Sequence, residues 1–345
     1  MKLHALRTAL LASVATVAAA TLALPAISQP ARAESIKVGI SKLLSYPAVP
    51  IAIERGYFKE QGIDASMEYF DSAQPIAVAV ASGSVDFGVS GLSAAFYTLA
   101  GQGQLRMIAA SGYEEPGFYN IVLLGSLKSY AAGLTSPKNL AGHSVAVTQL
   151  GTSLELNLAR IAQKFGVDFS KIEVKPLQSN SNVISALTGG TVDAGIIPAS
   201  PALKLLAKNE VKALSWVGDD APGNTGSAAY TGTKTANDRG ELVKRFLVAY
   251  RHGMKDFHDA FTDANGKRQD QTGAPAMLEL MANFTGASKD EIEKATPYVD
   301  PEGRVDVPEI KSQIAWYTSQ GQIKGKVDAD TLIDKRYALP LPAKK

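Results

Sequence analysis

The chain has 345 residues, with 35 Lys and Arg against 33 Asp and Glu and no cysteine. The missing cysteine excludes disulfides, thiolate-held zinc and a lipid-modified cysteine at a processed N-terminus. The near balance of charge gives nucleic acid no basic face to bind.

The first 33 residues read as an export leader. Lys2 and Arg7 make a basic start, residues 9–24 are an apolar stretch too short for a comfortable span, and Ala31-Arg32-Ala33 is a small-x-small cleavage signal. A mature chain beginning at Glu34 is therefore expected, exported and free in a periplasm, neither anchored nor a lipoprotein. It would carry 32 basic and 33 acidic residues. At 312 residues it is long for a single core, so two lobes are expected.

"SIKVGIS" (35–41) alternates like a strand, and "YPAVPIAIERGYFKEQGI" (46–63) follows as a helix with prolines in its opening turns. "DASMEYF" is a second strand. Ser72 can cap the helix "AQPIAVAVAS", which ends on Gly83. "VDFGVS", "SAAFYTLAGQ" and "LRMIAAS" read as strand, helix and strand. Such alternation predicts a parallel sheet covered on both faces.

The pattern then restarts. A strand over 144–149 precedes the amphipathic helix "SLELNLARIAQKFGV" and the strand "KIEVKPL". Asn180 or Ser181 caps "NVISALTGG", and strand "VDAGII", helix "SPALKLLAKN" and strand "VKALSWVG" follow. "GSVDFGVSG" (83–91) thus returns as "GTVDAGIIP" (190–198), each at the third strand of its lobe. After a return strand, "SAAYTGT", the remainder is mainly helical and is expected on the outer face of lobe one, including "SKDEIEKAT" with a Ser288–Glu291 capping box. The expected fold is α/β, with two doubly wound βαβ lobes, a ligand cleft between them, and two hinge crossings near 119–125 and 227–233. Lobe one would comprise 34–122 plus 231–345, and lobe two 123–230.

"IAIERGYFKEQGIDASMEYF", the pair "AVASGSVDFGVSG" and "ALTGGTVDAGIIP", and "SPKNLAGHSVAV" give the chain its resemblance to type II periplasmic binding proteins, in particular the sulfonate/nitrate/taurine and thiamine-precursor-like family. The resemblance implies capture of a small solute, hinge closure, and delivery to the permease of an ABC importer, by a protein working as a monomer with no cofactor and no catalysis.

In doubly wound sheets ligands lie beyond the carboxyl ends of the strands, where helix N-termini favour anions. In lobe one this selects Ser41, Lys42 and Tyr46, then Ser72 and Ala73, then Gly91, Leu92 and Ser93, with Tyr113 and Tyr119 as aromatic walls. In lobe two it selects Thr148, Gly151, Thr152 and Ser153, then Asn180, then Pro198 and Ala199. "TQLGTS" is the sharpest of these, joining helix-start N–H groups to two hydroxyls. Asp86 and Asp193 start their strands, remote from the cleft, and are expected to bond nearby backbone N–H groups.

Enzyme signals fail. "GQGQLR" lacks the third glycine of a dinucleotide loop, no nucleophile elbow or phosphate-loop lysine motif occurs, and His252 and His258 are six apart, on different helix faces. The expected ligand is a small organic anion, a sulfonate or an aromatic or aliphatic carboxylate. Nitrate or a neutral thiamine-precursor pyrimidine is the alternative, as is a sensor role in place of transport.

Overall fold

A computed structural model describes residues 33–269 and 274–342. The expected leader, but for Ala33, lies outside the described residues. In chain order the first part comprises β1 (Glu34–Ile40), α1 (Ala48–Glu54), α2 (Tyr57–Glu60), β2 (Ile63–Tyr69), α3 (Ala73–Ser82), β3 (Phe87–Gly91), α4 (Ala94–Gly101), β4 (Leu105–Ala110) and β5 (Gly112–Tyr113). The second comprises β6 (Ile121–Ser126), α5 (Leu127–Ala131), β7 (Ser144–Val147), α6 (Ser153–Lys164), β8 (Glu173–Pro176), α7 (Asn180–Thr188), β9 (Ala194–Pro198), α8 (Ala199–Ala207), β10 (Val211–Trp216) and α9 (Val217–Asp220). The chain then returns through β11 (Ser227–Gly232), α10 (Thr233–Asp238), α11 (Gly240–Phe261), α12 (Pro275–Thr285), α13 (Lys289–Lys294), β12 (Tyr298–Val299), α14 (Val307–Ser319) and α15 (Ala329–Leu332).

Two five-stranded sheets result, ordered β2-β1-β3-β11-β4 and β8-β7-β9-β6-β10. The orders match strand for strand, so the sequence echo is an architectural one. Each sheet is parallel through its first three strands and then takes one antiparallel strand, β11 or β6. That strand is the one entering from the other lobe, and a chain arriving from the opposite side runs through the sheet backwards. Residues 121–126 and 227–232 are therefore sheet strands. The stretches that connect the lobes, 114–120 and 221–226, lie a few residues earlier than the sequence places them.

Both sheets are buried on both faces. One face of the first packs Ile36, Val38 and Phe87 against α1, α11 and α12, while the other packs Met107 and Tyr230 with Tyr97 of α4 and Ile310 and Tyr317 of α14. The second sheet has α6 on one face and α7 and α8 on the other.

Two local expectations change. The single helix over 46–63 is broken at Gly56, whose φ of 79° is left-handed, giving α1 and α2. The cap of α7 is Ser179, which accepts the Asn182 N–H, leaving Asn180 as the first helical residue. The capping box at Ser288 and Glu291 forms as read. No described helix is long and apolar enough to cross a membrane.

Candidate functional site

The carboxyl ends of β1, β2 and β3 face those of β7, β8 and β9 across one small cavity of about 60 Å³. At roughly 10–15 Å³ for each water-sized group, it holds only a handful. Ten of the residues selected from sequence line it: Ser41, Tyr46, Ser72, Ala73 and Gly91 from lobe one, and Thr148, Thr152, Ser153, Asn180 and Pro198 from lobe two. Three helices of nine or more residues, α3, α6 and α7, start at it. Neither Ser72 nor Thr152, the residues preceding α3 and α6, caps its helix with its hydroxyl. The Thr152 hydroxyl donates instead to the Gln149 carbonyl at 2.9 Å. First-turn N–H groups at the α3 and α6 starts lack a capping side chain, and all three starts bring a partial positive charge with them.

The other selected residues lie elsewhere. Lys42 and Ala199 line an adjoining, wider cavity of about 410 Å³. The Lys42 ammonium sits 4.5 Å from the Tyr69 ring centre, and the Ala199 N–H donates to the Asn120 carbonyl. Leu92 and Ser93 are fully buried. Ser93 caps α4 through the Phe96 N–H, and the Leu92 carbonyl accepts from the Tyr317 hydroxyl. Tyr113 donates to the Arg304 carbonyl, and Tyr119 packs on Trp216 at 4.7 Å. Gly151, at φ 72°, gives its N–H to the Glu155 carboxylate at 2.6 Å and accepts the Ala94 N–H. Its N–H is therefore spent within lobe two, and its carbonyl belongs to a contact between the lobes.

Ser45, inside the selected stretch 41–46, also lines the cavity, as do Asn120, Gly226 and Ser227, which sequence reading missed. Asn120 and Gly226 come from the two crossings, where no strand-end rule applies. Behind them lies Glu114, wholly buried, whose carboxyl accepts from Asn120 Nδ2 at 2.6 Å. Burial pushes Glu114 up to about 8, against the lowering effect of that hydrogen bond, and neighbouring Glu115 adds to the rise. Tyr46 is likewise pushed up by burial to about 12, so its phenol stays protonated. Its oxygen accepts the Gly91 N–H at 2.9 Å, leaving its own proton available. No Lys or Arg lines the inner cavity, and its one charged residue is the exposed Asp71.

Side chains hold the lobes together around the cavity. Gln74 donates to the Leu150 carbonyl at 2.7 Å, Gln322 to both Glu155 carboxylate oxygens, and Arg160 pairs with Glu309 at 2.7 Å. A Cβ added to Gly91 would stand 2.9 Å from Ser153 Oγ, so the two turns meet face to face. Among the described residues no cluster of His, Asp or Glu is arranged to hold a metal ion.

This two-lobed architecture is the periplasmic-binding-protein fold. It is shared with the alkanesulfonate-binding protein SsuA from Xanthomonas axonopodis pv. citri bound to MOPS (TM-score 0.70, 17% identity, 88% of this chain and 99% of that one). It is also shared with the nitrate-binding protein NrtA from Synechocystis PCC 6803 (TM-score 0.67, 12% identity, 87% and 85%). Proteins of Brucella abortus and Brucella suis, provisionally described as binding proteins, are 26% identical over 251 residues, 71% of this chain and 74% of theirs. The family described as NMT1/THI5 like matches residues 48–264, and the chain belongs to it.

Proposed function

We propose that this chain is the solute-binding component of an ABC-type importer, exported to the periplasm, that captures a small organic anion between its lobes and presents the closed form to a membrane permease. The observation that carries this reading is the convergence of the α3, α6 and α7 N-termini, from both lobes, on one small cavity. Backbone N–H groups and helix dipoles bind an anion without a cationic side chain, and a ligand held from both sides stabilises closure. The lobes exchange chain at 114–120 and 221–226, short stretches suited to act as the hinge. The names of the sulfonate- and nitrate-binding neighbours agree with this chemistry.

A neutral, thiamine-precursor-like pyrimidine is the second reading. It is favoured by the lack of Lys or Arg in the inner cavity and the presence of Asp71 at its edge. A thermal-shift series against short sulfonates, carboxylates, nitrate and pyrimidines separates the two, because a ligand specific for the folded form raises Tm with concentration. The anion reading expects sulfonates or carboxylates to raise it. Thr152→Ala with Ser153→Ala is then expected to weaken the best hit about tenfold or more in calorimetric titration. Unchanged affinity in the double variant would remove the Thr152 and Ser153 hydroxyls from the anion site.

A further inference from the structure

We propose that Glu114, Asn120 and Ser45 form a relay that, when Glu114 is ionised, fixes the direction of the Ser45 hydroxyl, so that the site then favours a bound solute that presents a hydrogen-bond donor to Ser45. This deepens the cavity reading above and rests on it.

Ser45 Oγ donates to Asn120 Oδ1 at 2.6 Å, and Asn120 Nδ2 donates to Glu114 Oε1 at 2.6 Å. Glu114 lies where the two crossings are laced together: its N–H donates to the Asn224 carbonyl and its carbonyl accepts the Gly223 N–H. All three side chains are buried, and Glu114 Oε2 has no hydrogen-bond partner. Only backbone separates the carboxyl from the cavity at one point, since a Cβ on Gly226 would stand 3.6 Å from Glu114 Oε1.

A carboxylate can only accept. It therefore turns the Asn120 amide nitrogen toward itself and the amide oxygen toward Ser45. Ser45 has one proton and spends it on that oxygen. What it offers the cavity is lone pairs. An ether or a second oxyanion placed there would oppose acceptor to acceptor, whereas an O–H or N–H would pair. Tyr46, on the same cavity, is the complement: it accepts from Gly91 and retains a proton to give. The site is thus polarised, with donors from Tyr46 and the helix starts and an acceptor at Ser45. The solute class it selects is a small anion that also bears a hydroxyl or N–H group.

Glu114 is a positioning residue, and its ionisation sets the strength of the preference. At pH 9 it is ionised and the amide has one orientation. At pH 6 it is protonated and can donate or accept, so the orientation is no longer enforced. The charged group acting on it is Glu115 on its own segment, and the facing stretch Gly223–Gly226 contributes Asn224, Thr225 and backbone.

The test is calorimetric titration of the purified chain with 2-hydroxyethanesulfonate and 2-methoxyethanesulfonate, which differ in the donor. The hydroxyl compound is expected to bind about tenfold tighter at pH 9, the worth of one hydrogen bond and its unpaired partner, with the ratio falling at pH 6. Ser45→Ala is expected to bring the ratio near one at both pH values. Glu114→Gln, an amide that can donate or accept, is expected to show the reduced ratio independent of pH. A ratio near one in the wild type at pH 9, a ratio that survives Ser45→Ala, or a pH dependence that survives Glu114→Gln overturns the relay. A hydroxymethylpyrimidine and its methyl ether, titrated alongside at pH 9, keep the two readings apart. If no sulfonate binds but the pyrimidine alcohol is preferred over its ether, the anion reading falls and the relay stands. If neither pair shows the preference, the relay falls.

Discussion

Asp193 and Asp86 do the same job in different lobes. Asp86 Oδ2 accepts the Lys37 N–H of β1, and Asp193 Oδ2 accepts the Ser144 N–H of β7, each across 49 residues of chain. Each pins the start of a third strand to the first. Asp193 also takes the hydroxyls of Ser129 and Ser144 and lies 3.4 Å from His143. Burial would raise its pKa, but these bonds outweigh it and hold the carboxyl down at about 2. For a carboxylate lowered in the folded state, the stabilisation is complete above roughly pH 4 and is lost as pH falls through 2. Asp193→Asn is expected to cost about 1 kcal/mol at pH 7, since the group is about one-third exposed and partly screened. Thermal melts of the two proteins should converge between pH 4 and pH 2; a constant gap would show that the charge is not what stabilises. This role was legible because the Val-Asp-x-Gly sentence occurs twice. Glu114 was not legible, since nothing in "YEEPG" tells which of its two adjacent Glu residues the crossings will bury.

The helices differ in how closely they approach one another. α11 crosses α1 at Gly253, where a Cβ would come within 2.3 Å of the Ala48 carbonyl oxygen. In an isolated helix Gly→Ala gains about 1 kcal/mol. Here the obstacle is backbone that cannot rotate away, and overpacking of this kind costs roughly 1–3 kcal/mol or more. Gly253→Ala is therefore expected to lower Tm by several degrees, and an unchanged or raised Tm would mean that α11 slides freely. Periodicity made most of the elements legible, including the matched third strands and the terminal helices. It did not locate the break at Gly56, since the apolar spacing continues through "IERGYF" and only the left-handed φ ends α1. Nor did it separate Leu92 and Ser93 from Gly91. Gly91 ends β3 and the other two follow it, but the chain turns inward after the glycine, and Ser93 is consumed as the α4 cap.

The whole molecule is held shut by a few polar contacts around a small void. Arg160 with Glu309, and Gln322 with Glu155, join α6 of lobe two to the C-terminal segment of lobe one. Burial raises both Glu309 and Glu155 above ordinary carboxylate values, against the lowering effect of these partners. Removing the partners favours opening. Arg160→Ala combined with Gln322→Ala is expected to enlarge the ligand-free radius of gyration in solution scattering. It should also speed ligand dissociation about tenfold or more while far-UV circular dichroism stays the same. An unchanged dissociation rate would assign those contacts no part in closure.

Glu309 and Gln322 belong to the tail beyond residue 264, where the family match ends. Their partners Glu155 and Arg160 stand on α6, just after the cavity-lining Thr152 and Ser153, so the clasp is written half inside that match and half outside it. If the cavity holds a solute as proposed, substitutions in that tail adjust how long it stays and leave the choice of solute to the cavity.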